Sequence, residues 1–243
     1  MKAIVLAGGK GTRLNSAAEN IPKVMRVIND KPLIEYCLNS LGLLDKKDIV
    51  IVVGFQKEKV MEYLGDDYAY CYQEQQLGTG HAALCTKDIL EGIDDDVIII
   101  YGDMPLVKRE TFEGLIHKHK ETGADMTILT AVVDNILPYG RIIRSVDNSV
   151  IDIIEEKDTD EKTRLVNELN VGVIAVKIKY LYEGLARVKN NNNSKEYYLT
   201  DLTKVFVKDG KKVETYKTYD ESEIRGINTV EDLNFAFGVL GRR

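Results

Sequence analysis

The chain has 243 residues, 44% apolar and 30% charged, with a net charge of −6. That length suits one large α/β domain with room for a subdomain, and the acidic balance excludes a general nucleic-acid surface, which needs a basic face. Cys37, Cys71 and Cys85 are odd in number and far apart, so they predict reduced, buried thiols and exclude a disulfide frame or a cysteine zinc site. No apolar stretch approaches membrane-spanning length, and the N-terminus enters a strand directly with no signal-peptide anatomy, so the expected location is the cytoplasm.

The first predicted strand, Lys2–Leu6, runs into Leu6-Ala7-Gly8-Gly9-Lys10-Gly11-Thr12-Arg13, and Pro22-Lys23 follow. Its glycines allow positive φ and let main-chain N–H groups approach an anion closely. Lys10, Arg13 and Lys23 add mobile and forked positive charge. The stretch reads as a holder for a nucleoside triphosphate, the alternative being a strand-to-loop turn with surface charges. A Walker loop is excluded because lysine precedes the last glycine and Arg13 follows Thr12. The dinucleotide fingerprint fails because Leu14 stands where the third small residue belongs.

Further along, helices are predicted over Pro32–Leu41, Gln56–Leu64, Thr79–Leu90 and Arg109–Thr122, and strands over Ile49–Val53, Tyr68–Tyr72 and Val97–Tyr101. The β-branched runs Ile49–Val53 and Val97–Ile100 read as strands covered on both faces, as in a mainly parallel sheet with helices on each side. Ligands in such folds sit beyond the carboxyl ends of the strands, where both the glycine loop and Gly102-Asp103 fall. Gly78-Thr79-Gly80-His81-Ala82-Ala83 fits a dinucleotide fingerprint on paper, but it follows the polar run Gln73–Gln76 and not a strand. Asp103 can hold a hard cation such as magnesium, or cap the turn that follows. His117 and His119, two apart on one helix, point to different sides and read as solvated; His81 reads as a local hydrogen-bonding group.

The second half differs. Strands are predicted over Met126–Val133, Arg141–Ser145, Val150–Glu155 and Val171–Lys177, as an antiparallel or mixed portion laid against the nucleotide half. Helices follow over Tyr197–Lys208 and Thr229–Leu240, separated from those strands by the polar loop Asn190–Ser194. Asn228 reads equally as a helix cap and as an oxygen ligand. Neither a repeat nor a linker divides the chain. We expect a single domain over 1–243 with two functional lobes, a nucleotide-binding one to about 110 and a second over 111–228, and a C-terminal helix over 229–243.

Several segments, in order, resemble the sugar-nucleotide pyrophosphorylases. They are the loop Leu6–Arg13 with Pro22-Lys23, Gln73–Ala82, Tyr101-Gly102-Asp103, Tyr139-Gly140-Arg141-Ile142, Ile154–Asp158, Asn170-Val171-Gly172, Glu196–Asp201 and Gly226-Ile227-Asn228. Within that group they are most similar to the bacterial N-acetylglucosamine-1-phosphate uridyltransferases. The resemblance implies a Rossmann-like α/β fold with a mainly parallel mixed sheet and a smaller antiparallel sugar-binding portion. It implies a reaction joining UTP to a sugar 1-phosphate, most closely N-acetylglucosamine 1-phosphate, with release of pyrophosphate and with Mg2+ as cofactor. Glucose 1-phosphate with UTP or dTTP is the nearest rival, and a non-catalytic nucleotide-sugar sensor the rival from another class.

The residue roles are implied in the same way. Leu6, Ala7, Gly8 and Gly9 line the nucleotide, and Arg13 and Lys23 grip its phosphates. Gln73, Gly78 and Thr79 read the uracil. Tyr101, Gly102 and Asp103 lie against substrate, with Asp103 and Asn228 holding the metal. Gly140, Glu155 and Asn170 contact the sugar; for Glu155 the alternative is an exposed charge in an acidic run. Three departures stand out: Gly8 replaces the alanine usual in the uridyltransferases, the stretch from Arg13 to Pro22 is longer than usual, and Val171 replaces a threonine. No hexapeptide repeats are present, so acetyl transfer is not expected. Neither nucleic-acid nor membrane partners are expected, and the sequence is silent on oligomeric state.

Overall fold

The computed structural model describes residues 1–11, 14, 18–134 and 137–242. In chain order it begins with β1 (Lys2–Ala7), a short hairpin of β2 (Val27–Ile28) and β3 (Lys31–Pro32), α1 (Leu33–Ser40), β4 (Ile49–Val53) and α2 (Lys57–Leu64). Next come β5 (Ala69–Tyr72), α3 (Thr79–Leu84), α4 (Lys87–Leu90), β6 (Asp96–Tyr101) and α5 (Arg109–Thr122). The second half supplies β7 (Met126–Val132), β8 (Arg141–Arg144), β9 (Val150–Ile154), α6 (Glu161–Arg164), β10 (Glu168–Lys177), α7 (Ile178–Leu185), α8 (Asp201–Lys208), β11 (Val213–Thr218) and α9 (Val230–Leu240).

The main sheet has the order β11-β7-β10-β6-β1-β4-β5. β1 pairs in parallel with both β4 and β6, β4 with β5, and β7 with β11. β10 is lodged antiparallel between β6 and β7, and the antiparallel β8–β9 hairpin branches from it. Alternation along the strands divides the core in two, because successive side chains point to opposite faces. Ala3, Val5, Ile49, Ile51, Ile98 and Ile100 pack under Ile34 and Cys37 of α1, Val60 of α2 and Phe112 and Leu115 of α5. Ile4, Leu6, Val50, Val52, Val97 and Ile99 pack under Ala82 and Ala83 of α3, Leu181 of α7 and Leu202 and Phe206 of α8. The β-branched runs are thus buried on both sides, as their composition requires.

Several expectations are corrected. The predicted second-half portion does not lie against the first: β7, β10 and β11 extend the same sheet, and only β8 and β9 leave its path. The helix expected over Thr79–Leu90 is two, α3 and α4, broken near Thr86, whose hydroxyl bonds the Ala83 carbonyl and the Tyr182 hydroxyl at 2.7 and 2.9 Å. The helix expected from Tyr197 starts at Asp201, because the Tyr197 backbone is engaged by Leu77 and Gly80 across the chain. His119 is not solvated. It is fully buried with Nδ1 2.8 Å from the Thr127 hydroxyl, and burial holds its pKa below the ordinary histidine value. Cys71 and Cys85 are half-buried neighbours, the Cys71 thiol donating to the Cys85 carbonyl at 2.8 Å, while Cys37 is buried.

Candidate active site

Parallel registry places Leu6 opposite both Val52 and Tyr101, Ala7 opposite Val53, and Val53 opposite Tyr72. Gly8, Gln73 and Gly102 therefore follow their strands at one carboxyl edge, where ligands bind in open α/β sheets. The Gln76 amide donates to the Gly8 carbonyl at 2.8 Å, and the Gln73 amide to the Gly78 carbonyl at 3.1 Å, so the polar run after β5 is laced to the glycine loop. Gly78 has φ +116°, and a Cβ there would stand 2.6 Å from the Tyr197 carbonyl oxygen. Glycine is required there by both torsion and space. The Gly80 N–H donates to that same carbonyl at 2.7 Å, and the Leu199 N–H to the Thr79 hydroxyl at 3.0 Å.

Two adjoining cavities occupy this edge. The smaller, about 240 Å³, is lined by Leu6, Gly8, Gly9, Gln73, Gln76 and Gly78 among others. The larger, about 520 Å³, includes Tyr139, Gly140, Glu155, Asn170, Gly172 and Asn228. Lys23, Thr79, Tyr101, Asp103 and Glu196 belong to both. At that junction the Lys23 ammonium donates to the Asp103 carboxylate and, at 2.9 Å, to Asn228 Oδ1. The Ile227 N–H donates to the Asp103 carbonyl at 2.9 Å, which draws the segment before α9 against the end of β6. The cap of α9 is Thr229, in a reciprocal capping box with Asp232, so the Asn228 side chain is directed to Lys23 and to the Gly226 carbonyl instead. A carboxylate and an amide oxygen gathered around one positive charge form a hard-oxygen donor set that fits magnesium. Among the described residues no group of three or more His, Cys, Asp or Glu side chains is gathered to hold a metal ion.

Gly140, Glu155 and Asn170, to which the resemblance gives the sugar, converge through strand pairing. Arg141 of β8 lies opposite Ile154 of β9 and Leu169 of β10. One step outward on each strand, Gly140, Glu155 and Asn170 meet, the Asn170 N–H donating to the Gly140 carbonyl at 2.8 Å. Five residues of β10, Asn170 to Ile174, span three of β7, Thr130 to Ile128, and Gly172 in this bulge has φ +88°. A Cβ on Gly172 would stand 2.6 Å from the Tyr101 ring, so the bulge and that ring seat each other. Glu155 is not an exposed charge. Burial raises its pKa above the ordinary carboxylate value, opposed by the Thr200 hydroxyl, which donates to it at 2.7 Å.

Of the residues named from the sequence, Ala7, Lys10 and Gly102 line neither cavity, Lys10 being exposed. Ala7 is buried within the sheet, and the Gly102 N–H donates to the Leu6 carbonyl at 2.9 Å, so both act through the backbone frame. Arg13 lies outside the described residues. Sequence reasoning gave no role to Gln76, Tyr139, Glu196 or Arg225, all of which line the cavities. Gln76 stood in a quoted run, but only the fold shows its amide tied to Gly8.

The nucleotidyl transferase family matches residues 2–221. The chain is 41% identical over 228 residues to the bifunctional protein GlmU of Acetivibrio thermocellus, covering 94% of this chain and 49% of that one. It is 43% identical over 228 residues to the GlmU of Carboxydothermus hydrogenoformans (94% and 50%), and 40% identical over 241 to that of Latilactobacillus sakei (99% and 52%). The chain thus spans about half the length of these curated relatives. Two solved structures share the fold at 20% identity. A UDP-glucose pyrophosphorylase complexed with UDP-glucose superposes with a TM-score of 0.81 over 99% of this chain and 98% of its own. A putative glucose-1-phosphate thymidylyltransferase from Bacillus anthracis, in complex with sucrose, gives 0.77 over 98% and 94%. Because the family match takes in every strand of the sheet, the chain belongs to the nucleotidyl transferase family.

Proposed function

We propose that the chain transfers the uridylyl group of UTP to N-acetylglucosamine 1-phosphate, forming UDP-N-acetylglucosamine and pyrophosphate. The observation that carries this reading is the junction: Lys23, Asp103 and Asn228 meet where the glycine-loop cavity opens into the cavity lined by Gly140, Glu155 and Asn170. A triphosphate lying along the first would present its α-phosphorus to an acceptor in the second. An oxygen of the sugar 1-phosphate forms the new bond to the α-phosphorus. The bond from that phosphorus to the pyrophosphate breaks, and its electron pair leaves with pyrophosphate.

Two polyanions must meet, so charge neutralisation and positioning carry the catalysis, with no covalent enzyme intermediate. Lys23 neutralises phosphate at the junction, and Arg13 is assigned the same work on the triphosphate. A magnesium ion held by Asp103 and Asn228 supplies Lewis-acid stabilisation of the phosphate oxygens when bound. Gln73 and Gln76, braced against Gly78 and Gly8, offer amide edges to a pyrimidine. Glu155 accepts from sugar hydroxyls, its second oxygen lying beside Gly140 where both residues line the larger cavity. The likeness of the ordered motifs to the N-acetylglucosamine-1-phosphate uridyltransferases selects this sugar over glucose.

The test is a panel of UTP, dTTP, ATP and GTP against the 1-phosphates of N-acetylglucosamine, glucose and galactose, read by pyrophosphate release. The expected outcome is fastest release with UTP and N-acetylglucosamine 1-phosphate. Faster turnover of another pair would reassign the substrates, and UDP-sugar binding without pyrophosphate release from any pair would make the chain a sensor.

A further inference from the structure

We propose that Arg141 and Glu156, neither of which lines either of the two cavities described above, are positioning residues that set the affinity for the sugar 1-phosphate by holding Gly140 and Glu155 in register; this rests on the function proposed above. Arg141 is fully buried at the start of β8. Its Nη2 is ion-paired with Glu156 Oε2 at 2.9 Å, and neither of these two atoms makes a hydrogen bond among the described residues. Arg141 Nη1 donates to the Tyr139 carbonyl and Nε, at 3.4 Å, to the Arg164 carbonyl, while Glu156 Oε1 is 3.2 Å from Arg164 Nε. One guanidinium thus ties together the loop before β8, the turn after β9 and the end of α6.

The residues beside this pair are the ones facing the cavity. Gly140 precedes Arg141, Glu155 precedes Glu156, and Asn170 is bonded to the Gly140 carbonyl. A planar fork reaching three oxygens at fixed angles has no equivalent in lysine. Taking the fully buried Arg141 charge out of water is costly even with the partly exposed Glu156 beside it, and buried pairs are often replaced by apolar residues without loss of stability. Global stability is therefore a poor explanation for this one, whereas registry of three substrate-facing groups is a sufficient one. Among the described residues neither member of the pair is hydrogen-bonded or ion-paired to the glycine loop or to Gln73, so the pair's effect falls on one substrate and spares the other.

The experiment compares wild type with Glu156→Gln, Arg141→Lys and the double variant Arg141→Met/Glu156→Leu. It measures KM for each substrate, kcat, UTP affinity by calorimetry, and Tm. The double variant carries no unpaired buried charge, so it keeps the test open if a single variant unfolds. We expect KM for N-acetylglucosamine 1-phosphate to rise about tenfold or more in each folded variant, as small misplacements of binding groups do. UTP affinity should stay within about twofold of wild type. A folded double variant with an unchanged sugar-phosphate KM overturns the inference, as does a parallel loss of both affinities, which marks a structural role. A wild type inactive with every sugar 1-phosphate overturns the functional reading itself and this inference with it.

Discussion

At the scale of single residues, the junction is decided by which oxygen faces which charge. Asp103 presents a carboxylate to the Lys23 ammonium, and Asn228 an amide oxygen. Replacing Asp103 by Asn keeps the shape and removes the charge, so magnesium-dependent pyrophosphate release should fall by about a hundredfold or more, while UTP affinity measured by calorimetry falls much less. Wild-type turnover in that variant would remove Asp103 from the metal role. Gly172 is a second such position. Alanine there must adopt φ +88° and collide with the Tyr101 ring, so it should destabilise the fold by about 1–3 kcal/mol. Urea unfolding measures this, and a midpoint equal to wild type would show that the bulge accommodates a methyl group.

At the scale of elements, α9 shows how a helix terminus serves a site at its threshold. Thr229 and Asp232 satisfy each other's backbone N–H groups, and the Asp232 carboxylate also accepts from the Asn228 N–H at 2.9 Å. Thr229→Ala should cost about 1 kcal/mol and loosen Asn228, seen as a lower Tm together with a higher magnesium requirement for half-maximal rate. A lower Tm with an unchanged magnesium requirement would separate the cap from the site. Elements with a strong internal signal were legible in the sequence: Ile49–Val53 and Arg109–Thr122 appear with the bounds their patterns imply. β11 was not, because Val213–Thr218 alternates polar residues along a sheet edge and none but Thr218 is buried. α7 was missed because its apolar face follows β10 with no punctuating residue between them. The convergence of Gly140, Glu155 and Asn170 could be named from motif resemblance alone, since strand registry across β8, β9 and β10 is not encoded in any one segment. Arg141 and Glu156 stood in quoted motifs, yet their pairing is visible only in three dimensions.

At the scale of the whole molecule, buried titratable groups couple the fold to pH. Asp201 at the start of α8 is pushed up to about 6, chiefly by burial and then by nearby Asp152. A folded pKa above the unfolded value means the stabilising, protonated form is fully present below about pH 4 and is lost as pH rises through about 6. Asp201→Asn should therefore gain up to about 2 kcal/mol over wild type at pH 8 and almost nothing at pH 4, as thermal unfolding at the two values would show. An equal gain at both would assign the effect to something other than titration. Asp220 has the opposite sense: Lys108 and Ser222 overcome its burial and hold it down to about 2. Its contribution is present above about pH 4 and is lost as acid approaches pH 2.

The reversed strand β10 has a bearing on how the molecule is made. Its residues Leu169–Val176 are buried and supply the neighbours of both β6 and β7, which run parallel to each other and do not touch until β10 fills the gap. On a ribosome, β1, β4, β5 and β6 can assemble early, but they leave the apolar flank of β6 open for the synthesis of some seventy further residues. A growing chain is therefore sticky along one defined seam until Lys177 has emerged. Destabilising changes in β10 should accordingly reduce soluble yield during expression more than they lower the melting temperature of the protein that survives.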